Sequence, residues 1–387
     1  MNSGAVTIML AGGGSGGHLM PGLAIAERIR ERDSGARCLF LCSDRALDAT
    51  ILRKAAAEFH ALAAQPLAWR PFPSALLRFI RGWGAARRMT AGLIEQELSA
   101  GRRVRMVSLG GFVAAPAVTE ARARGLQTVM VNLDAVPGKA NRLIARRIET
   151  LVTAVPTRAG GKRFAEARCI GMPIRRSALA RADAQECRRK FGLDPAVPVL
   201  LILGASQGAG TFNRLMLGLL ERAPARGVLA RWQVLHIAGP RAEAHENAAV
   251  LTGAYARAGV RAKALEFCDA MGDAWGAAEL ALSRAGASSV AEAEANAVPT
   301  LFAPYPWHRD QHQRFNALPL VEAGKAWLTT DHVEAAANLE GMGADLVGLL
   351  NDEAARRTAR SLLKSQPPGD AAGIVADLLL QAEPSGR

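Results

Sequence analysis

Hydrophobic positions along this chain fall into short unbroken runs, each followed by a stretch in which apolar residues recur every three or four positions. The first run, Val6 to Leu10, leads into a glycine-rich segment and then into Leu23-Ala24-Ile25-Ala26-Glu27-Arg28-Ile29, the start of an amphipathic helix. Further strand-like runs occur at Cys38–Cys42, Arg105–Leu109, Thr128–Val131 and Leu151–Ala154. A second series begins at Val199–Leu203 and continues at Gln233–Ile237, Ala264–Phe267, Leu280–Ser283 and Thr300–Phe302. Continuous apolar strands alternating with helices predict an α/β fold with parallel sheets covered on both faces. The break Gly171-Met172-Pro173-Ile174-Arg175-Arg176 separates the two series. It predicts two Rossmann-like domains, 1–170 and 171–351, facing each other across a cleft, with a terminal helix over about 352–381 crossing back onto the first.

Each series opens in the same way, with a strand and then a glycine-rich turn. The first turn is Ala11-Gly12-Gly13-Gly14-Ser15-Gly16-Gly17-His18, followed by Pro21-Gly22; the second is Gly204-Ala205-Ser206-Gln207-Gly208-Ala209-Gly210. Such a turn lets backbone N–H groups and a helix N-terminus face an anion. The spacing is not G-x-G-x-x-G, and no acidic residue ends Cys38–Cys42; Asp44 lies two residues beyond it. A dinucleotide oxidoreductase is therefore disfavoured. His18 places a titratable ring at the turn.

Composition narrows the partners. Of 387 residues, half are hydrophobic and 21% are charged, which describes a globular chain. The formal net charge of +13 points to anionic partners: phosphate esters, a membrane surface or nucleic acid. Aromatic residues make up only 5%, and no basic run carries them at the spacing a base-stacking platform would need, so no nucleic acid partner is expected. Five scattered cysteines without C-x-x-C suit a reducing compartment. No span approaches the roughly 20 apolar residues of a membrane helix. These features predict a cytoplasmic protein with at most peripheral membrane contact. One stretch suits that contact. In Arg70–Trp83, Leu76, Phe79, Ile80 and Trp83 share a helical face, and Arg78, Arg81, Arg87 and Arg88 supply cations beside it. An ordinary core helix with a basic outer face is the other reading.

The densest chemistry lies late in the chain. Ser283-Arg284-Ala285-Gly286 leads from a strand into a helix opened by Ala287, Ser288, Ser289 and Val290, whose amides would face a diphosphate. Glu292 follows one turn on, either to accept from ribose hydroxyls or as an exposed helix carboxylate. Asp310, Gln311, His312 and Gln313 crowd the start of the next helix, a set suited to sugar hydroxyls; Asp310 also suits an N-cap.

Taken together and in order, these motifs resemble the MurG family of glycosyltransferases. The resemblance also rests on Gly110-Gly111-Phe112, Glu266-Phe267-Cys268-Asp269 and Asn316-Ala317-Leu318-Pro319-Leu320, and spans the chain from the first turn to Leu328. It implies a GT-B fold and inverting transfer of N-acetylglucosamine from UDP-N-acetylglucosamine to an undecaprenyl-diphosphate-linked muramoyl-pentapeptide. It also implies no cofactor and no metal at the donor site, on the cytoplasmic face of the plasma (inner) membrane. By the same resemblance uracil would meet the backbone at Cys268, with Arg175 and Ser206 near the nucleotide and Asn213 in the donor domain. The diphosphate would lie over Ala287–Val290 and the ribose on Glu292. Gln313, with His312 in place of a family glutamine, would hold the sugar. Ser15, Gly16 and Gly17 would line the donor-sugar and acceptor side.

The chain departs from the family at Val131-Asn132-Leu133-Asp134, where His-Glu-Gln-Asn is usual, and at Gly239-Pro240, where glycine-lysine is usual. His18 is the expected general base, and Asp134 is a second candidate. The alternatives are a GT-B enzyme with another lipid acceptor, a UDP-sugar 2-epimerase, and a nucleotide-sugar-binding protein without transfer activity.

Overall fold

The computed structural model describes residues 5–14, 16–66, 73–204, 209–240, 242–307 and 311–381. Contacts divide the chain into two compact units, residues 1–175 with 369–387, and residues 176–368. The first carries a parallel sheet of seven strands: β1 (Val6–Gly12), β2 (Arg37–Ser43), β3 (Glu58–Leu62), β4 (Arg103–Gly110), β5 (Thr128–Asn132), β6 (Thr150–Thr153) and β7 (Arg168–Cys169), in the order β3-β2-β1-β4-β5-β6-β7. The second has β8 (Val199–Leu203), β9 (Gln233–Ile237), β10 (Arg261–Leu265), β11 (Leu280–Ser283), β12 (Thr300–Phe302) and β13 (Trp327–Leu328), in the order β10-β9-β8-β11-β12-β13. In each sheet the strand order reverses beside the first strand, between β1 and β4 and between β8 and β11. Ligands of open α/β sheets bind at the carboxyl ends of strands at such a reversal. Both glycine-rich turns begin there.

The central strands are the continuous apolar runs because helices cover both their faces; β1 is buried along its whole length. Strands β3, β7 and β13 were not evident from hydrophobicity. Each is short, largely unburied and at an edge, where one side of the strand needs no apolar cover. Strand β10 lies upstream of the expected Ala264–Phe267, because its outward positions Arg261 and Lys263 break the apolar run.

The first helix begins at Gly16, not near Leu23, and runs to Arg32 with Pro21 inside it. His18 therefore sits in its first turn. Pro21 lacks the N–H that would return to the carbonyl four residues back. Gly22 is needed for close packing, since a Cβ there would stand 2.6 Å from Leu109 Cδ1 and 3.1 Å from Phe40 Cε1.

The C-terminal segment, expected as one helix, is two: Glu353–Ser365 and Ala371–Leu380. Pro367 and Pro368 stand between them, where missing amides and a fixed φ stop a helix. The first of the two stays with the second unit, where Arg360 donates to the carbonyls of Ala278 and Glu279 and Arg356 lies 4.8 Å from the Trp232 ring centroid. The second packs on the Gly16–Arg32 helix of the first unit. Arg28 Nε donates to both oxygens of Asp370 at 3.0 Å, and Arg105 Nη1 donates to the carbonyls of Leu379 and Gln381.

Candidate active-site groups in the two units

In the first unit the turn after β1 is held from below. The fully buried Asp48 accepts, through Oδ2, from Gly14 N (2.8 Å), Ser43 N (3.1 Å) and Ser43 Oγ (2.7 Å). From the outer side Arg45 Nη1 donates to Gly14 O at 2.6 Å. Gly14 adopts φ +87°, and a Cβ there would come within 2.9 Å of the Phe112 ring. His18 is half-buried, with Nδ1 3.2 Å from Gly13 O. A carbonyl only accepts, so Nδ1 carries the proton of the neutral ring and Nε2 carries the lone pair. That tautomer suits a general base.

Asp134 is half-buried in the loop after β5. Beneath it three side-chain contacts run in series. Gly111 N donates to Asn141 Oδ1 (3.3 Å), Asn141 Nδ2 to Asn132 Oδ1 (3.0 Å), and Asn132 Nδ2 to Asp134 O (2.7 Å). Asn132, which stands at one of the altered positions, thus braces two loops from inside. Arg175 pairs with Glu27 of the first helix at 3.2 Å, within the first unit.

In the second unit the helix Ala287–Ala295 follows β11 after Gly286. Its first-turn residues Ala287, Ser288 and Ser289 are half-buried, and their amides precede the first intrahelical hydrogen bond. Val290 does not share that role: its side chain is buried and its amide bonds Gly286 O at 3.0 Å. Glu292 Oε2 accepts from the Trp275 indole at 3.0 Å, which fixes the carboxylate on the helix face; this partner had no signal in the sequence. Cys268 is buried just past β10, and burial pushes its thiol up, so it is an inert wall beside exposed Phe267. Gln313 Oε1 accepts from Tyr305 N at 2.9 Å, tying the helix His312–Glu322 to the turn after β12. His312 opens that helix after Gln311, a non-glycine residue at φ +48°.

Asn213 is a correction. It is 1% exposed, its Nδ2 donates to the carbonyls of Ala238 (3.2 Å) and Glu246 (3.1 Å), and its Oδ1 lies 3.0 Å from His236 Nε2. It is a structural bracket, not a ligand group. With both amide hydrogens used, Oδ1 must accept from His236 Nε2–H, so His236 Nδ1 accepts from Tyr255 OH at 2.9 Å. Burial lowers the His236 pKa to about 3 and keeps the ring neutral.

Beneath these loops lies a buried ion pair that motif reading passed over. Arg284 Nη2 donates to Asp331 Oδ2 (2.7 Å) and Thr211 Oγ1 (2.8 Å), and its Nη1 donates to the carbonyls of Ala303 and Pro304. Its guanidinium lies 4.4 Å from the Phe212 ring centroid. Asp331 Oδ1 accepts from Val333 N (2.8 Å) and Asn338 Nδ2 (2.9 Å). Val333 has φ +67°, strained for a β-branched residue. One arginine thus ties together the segments that follow β8, β11, β12 and β13. Ser15 and Ser206, with the turn 205–208 and residues 308–310, lie outside the described residues.

The helix Pro73–Ser99 carries the basic apolar stretch. Leu76, Leu77 and Ile80 are exposed at 42, 47 and 56%, and Arg78 and Arg81 are exposed beside them. Phe79 and Trp83 are half-buried, with ring centroids 5.9 Å apart, and Trp83 packs on the core; the outward apolar set therefore includes Leu77 and not Trp83. Arg87 is engaged with Glu120 at 2.7 Å. Arg70–Phe72 lie outside the described residues. Among the described residues no helix is long and apolar enough to cross a membrane.

Comparison with known proteins gives these groups a family. The glycosyltransferase family 28 N-terminal domain model matches residues 8–153, and the C-terminal domain model matches residues 199–366. The UDP-N-acetylglucosamine--N-acetylmuramyl-(pentapeptide) pyrophosphoryl-undecaprenol N-acetylglucosamine transferase of Acidothermus cellulolyticus is 37% identical over 328 residues, 84% of each chain. That of Desulforudis audaxviator is 33% identical over 386 residues, covering 96% of this chain and 97% of its own. Among solved structures, Acinetobacter baumannii MurG has a TM-score of 0.69 at 20% identity, over 97% of this chain and 99% of its own. A Listeria monocytogenes protein described as a putative UDP-N-acetylglucosamine 2-epimerase shares the fold with a TM-score of 0.57 at 13% identity, over 97% of this chain and 95% of its own. Two parallel Rossmann-like sheets, a glycine-rich turn after the first strand of each, and matches spanning both domains together establish that the chain belongs to glycosyltransferase family 28, with a GT-B fold.

Proposed function

We infer that this protein transfers N-acetylglucosamine from UDP-N-acetylglucosamine to a lipid-linked muramoyl-pentapeptide, the step from lipid I to lipid II of peptidoglycan synthesis. The observation that carries this reading is identity of 32–37% to transferases named for that reaction, over most of the chain. The second unit holds the donor. First-turn amides of Ala287–Ser289 receive the diphosphate, Glu292 the ribose, the backbone at Cys268 the uracil, and His312 with Gln313 the sugar. The first unit supplies His18 and the turn Gly13–Gly17.

In the reaction an acceptor hydroxyl oxygen attacks the anomeric carbon from the face opposite the leaving group. The carbon–oxygen bond to the diphosphate breaks, and UDP leaves with the electron pair. His18 Nε2 takes the hydroxyl proton. Charge grows on the diphosphate as the bond breaks, so the helix amides bind the transition state more tightly than the ground state.

The direct test is transfer of labelled sugar from UDP-N-acetylglucosamine to the lipid-linked acceptor, with and without a chelator. Release of a 2-epimer without acceptor would favour the epimerase reading instead. For Glu292→Ala, loss of hydrogen bonds from a charged group, worth about 1.5–3 kcal/mol, is expected to raise the donor KM roughly 10- to 100-fold with kcat little changed. Steady-state kinetics with varied donor measure this.

The acceptor is held in a bilayer, so the enzyme works as a peripheral protein on the cytoplasmic face of the plasma (inner) membrane. Leu76, Leu77 and Ile80 enter the interface while Arg78 and Arg81 meet anionic headgroups. Replacing the three apolar residues with serine is expected to lower partitioning onto anionic vesicles by about 100-fold, since full burial is worth about 1.5–3 kcal/mol for each side chain and each is only about half exposed to begin with. Vesicle sedimentation gives the partition coefficient, and unchanged binding would move the contact elsewhere.

A further inference from the structure

The Gly13–Gly14 peptide group is held at both ends. Its N–H, on Gly14, donates to Asp48 Oδ2 at 2.8 Å, and its carbonyl, on Gly13, faces His18 Nδ1 at 3.2 Å. Carboxylate, peptide and imidazole therefore form one line of hydrogen bonds, in which a single amide replaces direct contact between acid and histidine. We propose that Asp48 is a positioning residue for transfer, acting on His18 through this peptide. The proposal rests on the assignment of His18 as base.

A carboxylate accepting from an amide N–H draws the peptide toward its charge-separated form and leaves more negative charge on the carbonyl oxygen. Chains of hydrogen bonds polarise one another in this way. A more negative Gly13 oxygen holds the proton on His18 Nδ1, which leaves the Nε2 lone pair to the acceptor hydroxyl. When Nε2 takes that proton, the same oxygen steadies the imidazolium. The arrangement matches what a buried aspartate does for the histidine of a serine protease, at one peptide's remove.

Three further features fit this role better than plain turn support. Asp48 is fully buried, yet its three hydrogen bonds all fall on Oδ2, and Oδ1 is buried with no partner among the described residues. An oxygen left so is a stability cost that a purely structural acid would shed. There is also no room for another arrangement. A Cβ on Gly13 would stand 2.4 Å from Asp48 Oδ2, and one on Gly111 would stand 2.9 Å from Gly13 O and 3.3 Å from His18 Nδ1. Finally, Arg45 donates to the next carbonyl, Gly14 O, so the residue that carries the relay's N–H is held on its other side as well.

The test is a double-mutant cycle with Asp48→Asn and His18→Ala, read as kcat and both KM values. Asparagine keeps an acceptor oxygen at nearly the same place and removes the charge. If Asp48 acts through His18, Asp48→Asn lowers kcat about tenfold, leaves the donor KM within twofold, and costs nothing more in the His18→Ala background. An equal loss in both backgrounds would overturn the proposal, since it would mean the acid supports only the turn. Nitrogen-15 NMR of imidazole-labelled protein gives the second readout. The Nδ1–H tautomer is expected to dominate in the parent and to lose population in Asp48→Asn; identical tautomer populations would also overturn it. If His18→Ala alone turns over normally, the base assignment falls by itself, and the relay is then decided by the tautomer spectrum.

Discussion

Changing His18 to alanine is expected to lower kcat by about 10²- to 10⁴-fold, the usual span for losing a general base, with little change in donor KM. The expectation follows from geometry. The ring stands in the first turn of the Gly16–Arg32 helix and its Nδ1 faces Gly13 O, which makes Nε2 the basic nitrogen of the neutral ring. Asp134, the second candidate, lies in the loop after β5, where its carbonyl accepts from Asn132 Nδ2. Single-turnover measurement with bound donor separates loss of chemistry from loss of binding. Turnover within threefold of the parent would pass the role to Asp134, and Asp134→Asn should then show the large loss instead.

Changing Arg284 to methionine is expected to cost the second unit about 3–5 kcal/mol, because it leaves the Asp331 carboxylate buried without its cation. For a unit of this size that is a fall in Tm on the order of 10 °C, followed by calorimetry. Both side chains of the pair are at least nine-tenths buried, so solvent screens the interaction little. Replacing Asp331 with leucine in the same protein should recover part of the loss, since an apolar pair leaves no stranded charge. The pair also predicts a pH dependence. Burial works against the Asp331 carboxylate, but hydrogen bonds from Thr211 and Asn338, the charge of Arg284 and the Val333 amide outweigh it and hold its pKa below the ordinary 3.8. An acid with a depressed native pKa stabilises the fold above its unfolded value and loses that contribution as pH falls through its native value. This share of stability should therefore be full above about pH 5 and fade below pH 4. In Asp331→Asn that acid-side fading should be absent.

Legibility in the sequence followed burial. Strands β8, β9, β11 and β12 read off residue by residue because both their faces are covered; β3, β7 and β13, at the edges, left no such trace. The glycine-rich turns were legible because a glycine or serine after a strand and before a helix is a local pattern. Asn213 misled for the same reason. It follows the second glycine-rich turn in the order the family implies, but its side chain points inward to His236, and nothing local distinguishes the two directions. Trp275, Asp48 and Asp331 act at long sequence distance, and their partners became visible only once the chain was folded. The start of the first helix was misplaced because Pro21 and Gly22 resemble a boundary, whereas here they allow close approach of the helix to Leu109 and Phe40.

The second crossing of the chain, near Pro368, bears on how the protein is made. Residues 176–368 are contiguous, so that unit can close its core as soon as it has left the ribosome. The first unit is translated earlier but is completed later, because the helix Ala371–Leu380 that covers Arg28 and Arg105 is synthesised only after the whole of the second unit. Until then the seven-stranded sheet lacks the helix that packs there on its first helix. The order of translation and the order of completion are reversed in this chain, and the nascent first unit is the part that must be kept from aggregating.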